Sequence, residues 1–262
     1  MFGFLDRTWR RALQPFSFVV FGLGAWVLVV TYVSLAWITP GTAEEKSTFI
    51  QRVIHQSFRL FLRFIETFRG MEFYFNGEDA LIRSGPGLVI ANHPTLLDIV
   101  VLISRLPQAD CIVKKQLWDN MFLKGIVAAA GYIPNDDGPG LLSEATKRIK
   151  KGRKVIIFPE GTRSLPERLR PFSHGFAHIA VRAPCLLWPV VITCRPSALT
   201  KGRSVFSVPH TRAQLTASAQ EPLNPANYYD KADSASIAVR KVTAAVERYF
   251  EEKLEDGEFG NT

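Results

Sequence analysis

A chain of 262 residues can bury a real core and hold one sizeable domain with an appendage. Its 47% hydrophobic content is ordinary for a globular protein, and its formal net charge of +8 suits an acidic partner: anionic lipid headgroups, an acidic carrier protein or nucleic acid. Cys111, Cys185 and Cys194 are odd in number and lack metal-ligand spacing. That argues against a disulfide framework, fits a reducing compartment, and leaves all three expected as small core hydrophobes.

The first element in chain order is "FSFVVFGLGAWVLVVTYVSLAWI", residues 16–38, which carries no charge. Spanning or entering a bilayer takes about 20 apolar residues, so the length suffices, and it is too long for a signal-peptide core. Arg7, Arg10 and Arg11 precede it and favour a cytoplasmic N-terminus, while Trp26 and Trp37 suit the interfaces. After Pro40 and Gly41, "STFIQRVIHQSFRLFLRFIETFRG" repeats apolar residues at helical spacing from Phe49 to Phe68, with Arg52, Arg59, Arg63 and Arg69 on other faces. Four arginines make spanning costly, so a helix lying in the membrane interface is expected, with packing on the domain as the alternative. His55 is expected at the surface. A single span would put everything after residue 40 outside the cytoplasm; a bend near Gly22 and Gly24 would instead return both legs to one face.

From residue 71 the pattern alternates. "MEFYF", "GLVIA", "DCIVK", "KVIIFP" and "CLLWPVVITC" read as strands. "TLLDIVVLISRL", "NMFLKGIVAAAG", "GLLSEATKRIKKG" and "DSASIAVRKVTAAVERYFEEKL" read as helices. Such alternation predicts an α/β fold, a layered domain with a largely parallel central sheet flanked by helices. The expected organisation is N-terminal membrane-anchoring helices over 1–70, the α/β domain over 71–254, and a flexible tail over 255–262.

Two stretches carry chemistry. In "VIANHPTLLDIVVL", residues 89–102, His93 and Asp98 interrupt an apolar run. A strand ends at Ala91, and Pro94 suits the first turn of the helix that follows. Loops at strand C-terminal ends are where α/β folds place ligands. There an aspartate in the first helical turn can hold one imidazole nitrogen and leave the other as a base. Spacing alone also allows Asp98 merely to stabilise the positive end of the helix. The second stretch, "VIIFPEGTRS" over 155–164, is a buried strand ending in a turn. Its glycine, backbone N–H groups, Thr162 and the planar Arg163 guanidinium suit an anion cradle.

"NHPTLLD" followed further along by "FPEGTRS" resembles the glycerolipid acyltransferases, above all the 1-acylglycerol-3-phosphate (lysophosphatidic acid) acyltransferase family, over roughly residues 70–195. The resemblance implies a membrane-bound O-acyltransferase that moves a fatty acyl group from acyl carrier protein or coenzyme A to a lyso-lipid hydroxyl. Its partners would be membrane lipids, the lyso-lipid and the donor thioester. It implies His93 as general base, Asp98 as its orienting partner, and Glu160, Gly161, Thr162 and Arg163 as the acceptor-binding motif. "LWPVVI", residues 187–192, looks like a further family block near the acyl-binding region. No metal and no cofactor beyond the thioester cosubstrate is implied, and the expected location is the cytoplasmic face of the inner membrane. One block departs: after Gly131-Tyr132-Ile133, where the family carries an arginine for the acceptor phosphate, this chain has Asp136. The same chemistry on a phosphate-free lyso-lipid therefore stays open, as does a non-catalytic lipid-binding protein.

"KRIKKGRK", residues 147–154, holds six basic residues in eight positions. It lacks the interleaved aromatics of a nucleic-acid surface. Lys150, Lys151 and Arg153, with Lys114 and Lys115 after a strand, are candidates for contacting the donor or its carrier. His174 and His178 stand at a metal-compatible spacing without a third ligand. Ser164 and Ser173 lack the G-x-S-x-G elbow of a serine acyl-enzyme.

Overall fold

The computed structural model describes all residues except 1, 35–37, 39, 116–117, 119–122, 136–138, 166–167, 205 and 260–262. Helix α1 (Phe2–Leu28) runs without a break through Gly22 and Gly24 into a π-helical turn, Val29–Val33. Of the two arrangements left open, the helix therefore does not use a bend at those glycines. Helix α2 (Ala43–Thr67) starts at a capping box, in which the Glu45 amide donates to the Thr42 hydroxyl and the Thr42 amide donates to the Glu45 carboxylate.

A seven-stranded sheet follows, in the order β1 (Met71–Asn76), β7 (Ala213–Ala219), β6 (Leu186–Arg195), β2 (Gly87–Ala91), β5 (Lys154–Ile157), β3 (Asp110–Lys114) and β4 (Ile133–Asn135). Every neighbouring pair is parallel except β6 with β7. Helices α3 (Glu78–Arg83), α4 (Asp98–Arg105), α5 (Lys124–Ala129), α6 (Pro139–Lys150), α7 (Gly175–Arg182) and α8 (Ala235–Phe259) complete the chain. The central strand shows why the layers form. Val89 and Ala91 of β2 join one apolar cluster and Leu88 and Ile90 the other, so both faces are covered and the strand reads as an unbroken apolar run.

The structure corrects two expectations. Ile50, Ile54, Leu62 and Ile65 of α2 share the first cluster with α4 and the sheet. The apolar stripe of α2 thus faces the domain rather than the membrane. Its opposite side leaves Phe49 and Leu60 exposed. His55 is buried, and its Nδ1 bonds the Ile103 carbonyl at 2.8 Å, because it lies on that same stripe. Helix α8 runs on to Phe259.

Helix α1 lies antiparallel to α2: Trp9 packs on Phe68, Phe16 on Phe64, and Phe21 on Phe61 and Phe58. Arg10, buried, donates to the carbonyls of Pro209, His210 and Thr211. It thereby ties the start of α1 to the domain. The window Leu5–Thr31 is long and apolar enough to cross a membrane, and only 11% of it is buried.

Candidate active site

The C-terminal ends of β2, β3, β4 and β5 open onto one cleft of about 870 Å³, lined among others by His93, Lys114, Asn135, Phe158, Gly161 and Arg163. In a parallel sheet this is the end where loops, rather than strand backbone, meet the ligand.

Asn92 starts the construction. Its side-chain amide donates to the Ile192 carbonyl and its side-chain oxygen accepts from the Ile192 amide, so it pins the loop after β2 to β6. His93 follows, with Nδ1–H donating to Asp98 at 2.7 Å. Asp98 is fully buried at the start of α4 and also accepts from the Thr95 amide and hydroxyl. Burial pushes the Asp98 carboxyl above the ordinary carboxylate range, while its bonds from His93 and Thr95 pull the other way. The His93 ring stacks on Phe158, centroids 4.4 Å apart, and its side chain is 20% exposed. One nitrogen is therefore held and the ring plane is fixed, which leaves Nε2 to serve the cleft.

The turn after β5 meets this loop through Glu160. One carboxylate oxygen accepts from the His93 amide at 2.9 Å and from the Ser164 hydroxyl at 2.7 Å, and the other accepts from the Arg170 amide at 2.9 Å. The Ser164 amide in turn donates to the His93 carbonyl. Glu160 is buried and lies outside the lining of the cleft. Read from sequence as an acceptor ligand, it stands in the structure as a strut between the two motifs, because a buried carboxylate must satisfy its oxygens internally. Gly161, Thr162 and Arg163 do line the cleft. Gly161 has φ +63° with open space around an added Cβ, so the turn needs glycine for its left-handed backbone rather than for close approach. Arg163 donates to the Leu199 carbonyl at 3.0 Å, and Lys201 donates to the Thr162 hydroxyl at 3.1 Å.

The basic candidates divide. Lys114 lines the cleft and Lys115 is exposed just after it. Lys150, Lys151 and Arg153 precede β5 and so lie at the opposite, N-terminal end of the sheet. Arg153 is committed to the buried Asp110 at 2.6 Å and to Gln51 at 2.9 Å, and Lys151 pairs with Glu44. The structure turns these two into parts of the packing of α2 on the domain. His174 bonds Thr243 while His178 faces the cleft, so the two rings do not converge. Burial, then Arg182 and His174, lower the pKa of His178. Pro189 pairs with Ile90 inside the sheet, away from the cleft lining. Asp136 lies outside the described residues. Sequence reasoning missed Asn92, Thr95, Phe158 and Lys201; the first three sit within the quoted motifs, whereas Lys201 carries no local signal.

Residues 72–193 match the family model described as Acyltransferase. The 1-acyl-sn-glycerol-3-phosphate acyltransferase of Cocos nucifera is 34% identical over 113 residues, covering 40% of this chain and 37% of that one. The protein of the same name from Saccharomyces cerevisiae is 30% identical over 159 residues (57% and 52%), and that from Helicobacter pylori 33% over 116 (42% and 49%). The chain thus spans about a third to a half of the length of these curated relatives. The crystal structure of the 1-acyl-sn-glycerophosphate (LPA) acyltransferase PlsC from Thermotoga maritima superposes with a TM-score of 0.65, at 19% identity over 91% of this chain and 97% of that one. The chain therefore shares its fold with that protein.

Proposed function

We propose that the protein is a membrane-bound O-acyltransferase that transfers a fatty acyl group from a thioester of coenzyme A or acyl carrier protein to the hydroxyl of a lyso-lipid, foremost 1-acyl-sn-glycerol-3-phosphate. The observation that carries this is the His93–Asp98 pair at 2.7 Å, set at the mouth of a cleft whose described charged lining is cationic. His93 Nε2 takes the proton of the acceptor hydroxyl as its oxygen attacks the thioester carbonyl. Asp98 steadies the imidazolium. The C–S bond then breaks, the proton passes to the departing thiol, and the new ester stays with the lipid. Within the turn after β5 the Gly161 and Ser164 amides are engaged by Phe158 and His93. The developing oxyanion would fall to the amides of Thr162 and Arg163. No metal is invoked in these steps.

The membrane reading rests on α1 and α2. The outer side of the pair exposes Phe16, Val19, Leu23, Trp26 and Leu60. Arg10 anchors one end of α1 to the domain, and α2 runs directly into β1. A helix pair lying in one leaflet of the inner membrane, with the domain in the cytoplasm, satisfies both facts and needs no crossing. Protease added outside sealed, inside-in vesicles should spare the domain; cleavage there would reverse the orientation.

Acyl transfer by detergent-purified protein, wild type against His93→Ala, tests the chemistry. Loss of nearly all turnover with the fold intact is expected. Product formed at the wild-type rate by the variant would remove His93 as the base.

A further inference from the structure

The described lining of the cleft contains Lys114, Arg163 and Lys201 and no aspartate or glutamate. Cations converging without a carboxylate call for an anionic ligand. The sheet order separates them: β3, which ends at Lys114, lies two strands from β2, whereas the loop carrying Lys201 leaves β6 on the other side of β2. That loop bends back over the turn after β5. Leu199 takes a left-handed backbone, φ +54°, that few residues other than glycine adopt, and its carbonyl accepts from both the Leu96 amide and the Arg163 guanidinium. Two residues on, the Lys201 ammonium donates to the Thr162 hydroxyl.

We propose that Lys201, which no motif marks, joins the acceptor-binding turn of Thr162 and Arg163 as a further contact to the phosphomonoester of the acceptor lipid. Lys201 thereby determines preference for a phosphate-bearing acceptor. The inference deepens the acyl-transfer reading and rests on it. With its oxygen accepting from Lys201, Thr162 keeps its own O–H to donate, and Lys201 keeps two further N–H groups. Arg163, held by Leu199, still presents donors in a planar fork. Three groups thus offer hydrogen bonds to the three terminal oxygens of one phosphate.

Chemistry favours the acceptor over the donor as the source of that phosphate. In a 1-acylglycerol 3-phosphate the phosphate ester stands on the carbon next to the one bearing the attacking hydroxyl, so it must bind close to His93. The phosphates of a coenzyme A or carrier thioester lie at the far end of the pantetheine arm. Lys201 lies beyond the residues that match the family model, 72–193, and it offers a cation for an acceptor site where the second block carries Asp136.

The test is steady-state transfer by the full chain in detergent, with lysophosphatidic acid and with a monoacylglycerol, varying acceptor and donor separately. Lys201→Ala should raise the KM for lysophosphatidic acid about tenfold, the scale of one solvent-exposed charge-assisted contact. It should leave kcat, donor KM and the monoacylglycerol reaction unchanged, and Lys201→Arg should restore most of the loss. An increase in donor KM would move Lys201 to the donor phosphate and overturn the proposal. So would an equal change with monoacylglycerol, an unchanged KM for lysophosphatidic acid, or wild-type preference for the phosphate-free acceptor. Wild type inert toward both acceptors would instead remove the acyl-transfer reading beneath it.

Discussion

Glu160→Gln separates a strut from a substrate ligand. Three donors, the His93 amide, the Ser164 hydroxyl and the Arg170 amide, converge on one buried carboxylate at 2.7–2.9 Å. Hydrogen bonds to a charged acceptor contribute roughly 1.5–3 kcal/mol each. Glutamine keeps its size and can serve His93 and Ser164 with its oxygen. Its NH₂ then faces the Arg170 N–H, donor against donor, so one of the three bonds is lost and a buried donor is left unpaired. The cost should be about 2–3 kcal/mol. At roughly 2–4 °C per kcal/mol for a chain of this size, the melting temperature should fall by about 4–12 °C. Because the lost clamp frees the loop that carries His93, and a misplacement near 1 Å can cost about a hundredfold, kcat should drop by about ten- to hundredfold. The acceptor KM should move little. Differential scanning fluorimetry in detergent and initial rates at varied acceptor concentration read both quantities. A melting temperature within about a degree of wild type, with acceptor KM raised tenfold and kcat retained, would refute the reasoning and return Glu160 to the acceptor site.

Two further variants probe other parts of the molecule. Asp98→Asn should lower turnover on the order of 10⁴-fold by allowing the wrong imidazole tautomer to be held. Burial raises the folded-state pKa of Asp98 above its unfolded value, so ionisation costs stability in full above the folded value, and the penalty shrinks as pH falls below it and is gone below the unfolded value. The variant should therefore be no less stable than wild type at neutral pH, with any advantage shrinking toward acid; a large neutral-pH loss in thermal unfolding would contradict this. Asp110→Ala leaves Arg153 and Arg148 facing an empty buried position, which should cost about 3–5 kcal/mol. The acceptor and donor KM of the protein that remains folded should not change, because this network lies at the opposite end of the sheet; a selective rise in donor KM would restore Arg153 as a donor contact.

Much of the site was legible because its pieces are local. His93 and Asp98 are five residues apart across a strand-to-helix turn, and that separation lets the first helical turn present the carboxylate to the ring. Gly161 likewise follows from its own backbone need. Strand 87–91 was readable as an unbroken apolar run because both its faces are covered, and 71–76 as an alternation because it lies at the sheet edge with one side half-exposed. Strand β7 escaped notice because "AQLTASA" at the β1–β6 gap alternates small and polar residues, with Ala213, Leu215 and Ala217 inward.

What the amino-acid order determined by itself was the layered α/β class, the local approach of His93 and Asp98, and the apolar character of the N-terminal helix. All three depend on periods and spacings within one element or two adjacent ones. Only the tertiary structure decided which charges face substrate and which face one another. Glu160 and Arg153 read on paper as binding groups, yet one meets the backbone of a motif 67 residues away and the other a carboxylate 43 residues away. Lys201, with no motif around it, reaches the cleft because β6 lies next to β2 and Leu199 turns the loop back. A buried charge takes its meaning from the partner that compensates it, and that partner is brought by the fold rather than by the neighbouring sequence.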